Sequence, residues 1–177
     1  GSQSIGVSMT NKGGIPVELI PANEKDLSRV TALYDACKNK SGTHWRDEYP
    51  LESDALSDIA QGGLYLYLDG ETVIGAVSAI DVGETAALAP WTKTDNPCEI
   101  TRVCLHPARQ GQGLCGRMLA SLLPVLKALG RTAAQLTVAL DVPRAKNAYI
   151  RAGFKSVAVV HVPQWDNAVY DCMEIIL

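Results

Sequence analysis

With 177 residues and 47% hydrophobic side chains, the chain is long enough to build one self-sufficient core. A formal net charge of -3 and a pI near 5.6 supply no general attraction to nucleic acid or anionic lipid, so small molecules, cationic ones included, are the expected partners. No apolar run approaches the roughly 18 residues of a membrane span and no basic-then-apolar leader opens the sequence. Cys37, Cys98, Cys104, Cys115 and Cys172 are odd in number and lack metal-ligand spacing, so a cytoplasmic protein with reduced thiols and no metal is expected.

Residues 1–14 are small and polar with little periodicity and read as a flexible tail whose Gly1-Ser2 looks like a cloning remnant. The remaining residues, 15–177, read as a single domain. Ile15 to Ile20 forms a first predicted strand. Asn23 is placed to cap a helix in which Leu27, Val30, Leu33, Tyr34 and Cys37 share one face, ending near Ser41-Gly42. After a polar segment carrying His44 and Trp45, LESDALSDIAQG reads as a short helix stopped by Gly62 and Gly63. Leu64–Leu68 and Thr72–Ile80 alternate around Asp69-Gly70, a strong signal for an antiparallel hairpin.

Glu99–Leu105, Gly113–Leu129 and Ala134–Leu140 then read as a β-α-β unit, with Pro124 expected to kink or break its helix. Pro143 suits the first turn of another helix and Gly153 its end. Phe154–Val162 and Ala168–Ile176 supply two last strands, so the sheet is expected to be mixed. Those strands are also candidates for a homodimer surface.

The segment Gln110-Gly111-Gln112-Gly113-Leu114-Cys115-Gly116 sets three glycines between a strand and a helix whose first amides have no intrahelical partner. Close backbone approach, free N–H groups and the positive helix end suit phosphate oxygens, although a plain glycine-rich turn would look the same. The loop also spells G-x-G-x-x-G, with Asp141 as a ribose-binding acid in a dinucleotide-dependent oxidoreductase. Against that reading, His106 to Gln110 intervene between strand and first glycine, and Asp141 lies further along than the roughly 20 residues expected.

EITRVCLHPARQGQGLCGRML resembles the strand, loop and helix of GNAT N-acetyltransferases, whose pattern is Gln/Arg-x-x-Gly-x-Gly/Ala. Gln110 and Gly113 match it, while Cys115 stands where glycine or alanine is usual. AYIRAGF, residues 148–154, resembles the family's tyrosine-to-Gly-Phe segment, with Tyr149 five residues before Phe154. The family's asparagine seven residues before that tyrosine is replaced by Val142, which leaves Asp141 as the substitute cap. The resemblance covers roughly residues 15–177. It implies an α/β fold with a central mixed, mostly antiparallel sheet flanked by about four helices.

The resemblance further implies acetyl-CoA as cosubstrate, direct transfer to a primary amine of a small molecule or peptide, and no metal. Val103 and Leu105 would pair their backbone with pantetheine, and an amide near Leu105 would hold the developing oxyanion. The segment from Gln110 through Gly111, Gln112, Gly113, Leu114 and Cys115 to Gly116 would cradle the pyrophosphate. Tyr149 would be the general acid, or else a core tyrosine on its helix. Glu99 would be the amine's base, or else a solvated carboxylate at a strand end.

Further polar residues are open to two readings. His44, Trp45, Asp47, Glu48 and Tyr49 fall where the family often lines its acceptor site, or form a loop with Trp45 tucked into the core. Arg102 reads as a sheet-surface ion pair, with a cofactor-phosphate contact left open. A coenzyme A-binding module without turnover stands as the rival from another functional class.

Overall fold

The computed structural model describes residues 8–10 and 16–177. An eight-stranded sheet is formed by β1 (Ser8–Thr10), β2 (Pro16–Pro21), β3 (Leu64–Asp69), β4 (Thr72–Asp81), β5 (Pro97–Leu105), β6 (Ala133–Ala139), β7 (Lys155–His161) and β8 (Val169–Ile176). Their spatial order is β1-β2-β3-β4-β5-β6-β8-β7, and β5–β6 is the one parallel pair among the described residues. The helices are α1 (Leu27–Cys37), α2 (Glu52–Ala60), α3 (Leu114–Ala128) and α4 (Pro143–Arg151).

One face of the sheet carries α3 and α4. Met118, Leu119, Leu122 and Leu126 pack there on Val17, Tyr67, Val77, Ile100 and Leu136, with Tyr149 and Phe154 from α4 and its exit. The opposite face carries α1 and α2, where Val30, Leu33, Tyr34 and Ala55 pack on Leu64, Leu66, Ala76 and Cys104. Strand alternation sorts β5 between them: Cys98 and Ile100 join the first core, so Glu99 turns toward the α1/α2 side.

Three expectations need correction. Ser8–Thr10, inside the segment read as a tail, pairs with β2; the rest of residues 1–14, like Ile15, lies outside the described residues. Helix α1 stops at Cys37 because Lys38 is extended, while Asn23 caps a preceding 3-10 turn, Glu24–Asp26, by accepting from the Lys25 amide. Pro124 does not break α3, which runs through it. Pro124 and Ala120, whose carbonyl loses its helical donor, both lie exposed, where solvent can substitute for that bond.

Candidate active site

The sheet is split at β5–β6, the one parallel junction among the described residues. β5 and β6 pair at Pro97–Ala133, Cys98–Ala134 and Glu99–Gln135, and no further pair follows although both strands continue. A gap therefore opens beyond Glu99, bounded by Ile100–Leu105 on one side and Leu136–Ala139 on the other. On its other edge β5 remains tied to β4, with a register shift between Ala76 and Ser78 that accommodates Arg102 at φ 47°.

The backbone of β5 is turned toward the gap at a defined place. The His106 amide donates to the Ile74 carbonyl at 2.8 Å, and Gly75 is paired with Leu105. Antiparallel strands alternate bonded and non-bonded pairs, so the N–H and C=O of Leu105 point away from β4. The Leu105 carbonyl accepts from the Cys37 thiol at 3.2 Å and from the Gln110 side chain at 3.3 Å.

Beyond Leu105, the His106 ring caps a short 3-10 turn, Pro107–Arg109, by accepting from the Ala108 amide. Gly111 and Gly113 then take left-handed φ angles of 79° and 73°, which makes glycine the favoured residue at both. Gly113 opens α3, and no side chain caps that helix. A side chain built at Gly116 would meet nothing within 4 Å, so the first turn of α3 has open space beside it. An uncapped helix start, its dipole and the clear approach give this loop the features that favour anions at a helix N-terminus.

Tyr149 approaches from the α3/α4 face. Its ring is buried and meets Phe154 edge-on, 6.0 Å between centroids, and its hydroxyl has no hydrogen bond among the described residues. Burial, reinforced by the neighbouring Cys115 and Cys104 thiols, pushes its phenol well above the usual range, so it holds its proton. Glu99 approaches from the opposite face, half-buried, and burial raises its carboxyl above the ordinary value. Burial also pushes the Cys115 thiol up to about 11, which leaves little nucleophilic thiolate at neutral pH.

The acetyltransferase (GNAT) family model matches residues 27–154. The chain belongs to that family. This GNAT enzyme is an acyltransferase, and its fold is shared with solved structures of low sequence identity. The ribosomal L7/L12 α-N-protein acetyltransferase RimL in complex with coenzyme A superposes with a TM-score of 0.74 at 16% identity, over 99% of this chain and 98% of RimL. A spermidine N-acetyltransferase chimera from Vibrio cholerae and hSSAT gives 0.71 at 16%, covering 90% and 95% of the two chains. The Salmonella typhimurium protein yncA with its cofactor acetyl-CoA gives 0.68 at 20%, covering 91% and 94%. No curated protein matches the chain.

Several side chains of this acetyltransferase are placed otherwise than the sequence suggested. Arg102 makes no surface pair and is not directed to phosphate: its Nε and Nη2 bond both oxygens of the buried Asp58 at 2.7 and 2.6 Å, while Nη1 donates to the Tyr49 hydroxyl at 3.1 Å. Asp141 does not cap α4, which has no side-chain cap; it meets His44 Nε2 at 2.8 Å. His44 Nδ1 meets Asp166, which also accepts from the Tyr170 hydroxyl at 2.7 Å. Trp45, by contrast, packs edge-on against Tyr34 at 5.4 Å, partly buried against the core on that side, in line with the second of the two readings of its segment.

Residues 38–49 consequently cross the α1/α2 side between the ends of β5 and β6, anchored near one by Cys37 and near the other by His44. Arg144, in the first turn of α4, was missed. Its Nη1 lies 3.9 Å from where a Gly111 Cβ would stand, which puts a guanidinium beside the glycine loop. The signal available in sequence was a cation just after the Pro143 helix start. Among the described residues no group of His, Cys, Asp and Glu is arranged to hold a metal, and no helix is long and apolar enough to cross a membrane.

Proposed function

We propose that this enzyme transfers acetyl directly from acetyl-CoA to a primary amine of a small molecule or peptide. The observation that carries the reading is the end of β5–β6 pairing at Glu99–Gln135, which opens a gap with Glu99 at its vertex and leaves the Leu105 backbone free of β6. The gap suits pantetheine along Val103 and Leu105. Gln110, Gly111, Gln112, Gly113, Leu114, Cys115 and Gly116 suit the pyrophosphate, with Arg144 as an added cation.

Acetyl-CoA supplies an acyl group already activated as a thioester. The Leu105 N–H is aimed where negative charge grows on the acyl oxygen. Glu99 takes the proton of an ammonium, which has a pKa near ~10.4 and is no nucleophile until it loses one. Its raised carboxyl makes Glu99 a better base than a free glutamate. Tyr149, protonated at any physiological pH, donates to the departing sulfur. A thiol with an ordinary pKa near ~8.5 leaves readily, so this donation assists the reaction without governing it.

The all-free cysteines support a reducing, cytoplasmic setting. Thermal shift tests the donor. Acetyl-CoA at a hundredfold excess over its Kd should stabilise the protein by about 2.7 kcal/mol, whereas stabilisation by a nicotinamide dinucleotide alone would return the dinucleotide reading.

A further inference from the structure

At the vertex of the gap, Glu99 and Gln135 are the last register partners of β5 and β6, so their side chains stand side by side on the α1/α2 face, about 5 Å apart along the hydrogen-bonding direction. Gln135 is only 4% exposed, yet its Oε1 has no hydrogen-bond partner among the described residues. Thr85, 5% exposed, has its hydroxyl close enough to Glu99 to act on that carboxyl as a hydrogen-bond donor, although the pair falls outside strict hydrogen-bond geometry and its Oγ1 has no other described partner. An orphaned Gln135 oxygen beside a half-buried carboxylate is costly unless something donates to it.

The surrounding groups are already committed. Glu174, the register partner of Gln135 on β8, accepts from the Thr92 amide and from its hydroxyl at 2.8 Å. Trp91 Nε1 donates to the Thr85 carbonyl at 3.0 Å, so residues 85–92 are pinned over this part of the sheet. Arg102, whose charge acts on Glu99, is held by Asp58 and Tyr49. The vertex thus presents three oxygen functions, Glu99, Gln135 Oε1 and Thr85 Oγ1; the Thr85 hydroxyl can donate to Glu99, which leaves Gln135 Oε1 without a donor among the described residues.

We infer that Gln135 and Thr85, together with Glu99, form the acceptor-amine subsite and select an unbranched primary ammonium over N-alkylated amines. A primary ammonium carries three N–H donors and no acceptor, one for each oxygen function. Each N-methyl group removes a donor and sets a carbon against a buried oxygen. The inference rests on the acyl-transfer reading for its place in a reaction, but ammonium recognition at the vertex is measurable without acetyl-CoA.

The test is nitrogen-15 NMR of the full chain, following the Gln135 side-chain amide, assigned by its loss in Gln135→Met. Titration with n-propylammonium chloride should shift that signal saturably, and N,N-dimethylpropylammonium should need about tenfold more or fail to saturate. Thr85→Val should weaken n-propylammonium by about tenfold. Gln135→Glu, which keeps an oxygen acceptor, should retain binding measured by calorimetry. An unmoved Gln135 signal, or equal half-saturation for both amines, overturns the inference. In thiol-release assays with n-propylamine, Gln135→Met should raise half-saturation for the amine and leave that for acetyl-CoA unchanged. Turnover with the amine half-saturation unchanged sinks the subsite and leaves acyl transfer standing; saturable, amine-selective shifts without turnover do the reverse.

Discussion

Arg102 and Asp58 form a two-bond fork across 44 residues of sequence, with the Asp58 side chain 1% exposed and that of Arg102 12%. The pair fixes α2 against the bulge in β5, and Ser78 adds a hydroxyl bond to the same carboxylate. Asp58→Asn leaves a buried guanidinium without its counter-charge. A loss of about 3 kcal/mol, or a fall in Tm of roughly 6–12 °C, is expected in calorimetry. Arg102→Lys should recover only part of it, because an ammonium cannot make both bonds.

Tyr149→Phe should lower kcat by about tenfold with little change in acetyl-CoA affinity. The phenol is pushed above its usual range, so the loss should be the same across neutral pH. Single-turnover kinetics checks this, and an unchanged rate removes Tyr149 from the chemistry.

Glu99 should link activity to pH and stability in opposite senses. Burial raises its folded carboxyl, so the acid limb of kcat/KM should lie above the ordinary glutamate range and vanish in Glu99→Gln. A carboxyl raised on folding binds protons more tightly in the native state, so stability falls as pH rises from the unfolded value through the folded one. Glu99→Gln should therefore raise Tm at pH 7 and not at pH 4. Melting curves at the two pH values decide it.

His44 has the reverse sign. Burial disfavours its charge, but bonds to Asp141 and Asp166 outweigh that and raise the imidazole. Its stabilising contribution is fully present below the unfolded value near ~6.5 and is lost as pH rises through the higher folded value. His44→Gln should flatten this part of the Tm profile. It should also loosen the 38–49 segment, as seen by faster hydrogen exchange there.

Local features of the fold and site were legible in the sequence, and contacts between distant segments were not. Asp69-Gly70 announces its hairpin, and Gln110 to Gly116 its loop, because turn chemistry and helix starts are written within a few residues. Glu99 and Tyr149 came only through family resemblance, since alternation alone also allows a solvated acid and a core tyrosine. The His44 contacts span 97 and 122 residues, and nothing near His44 indicates which carboxylates reach it. Gln135 was invisible for a related reason: an amide in a strand looks ordinary until its register partner and unmet oxygen are known. β1, three residues long, is too short to carry a period.

The central claim is tested most directly by thiol release from acetyl-CoA across polyamines, amino acids, aminoglycosides and peptide amino termini. Thiol appearing in equal amount with an N-acetylated product, for at least one primary amine, and slowed in both Tyr149→Phe and Glu99→Gln, is the predicted result. Tight acetyl-CoA binding with no release for any amine would contradict catalysis and leave a coenzyme A-binding module.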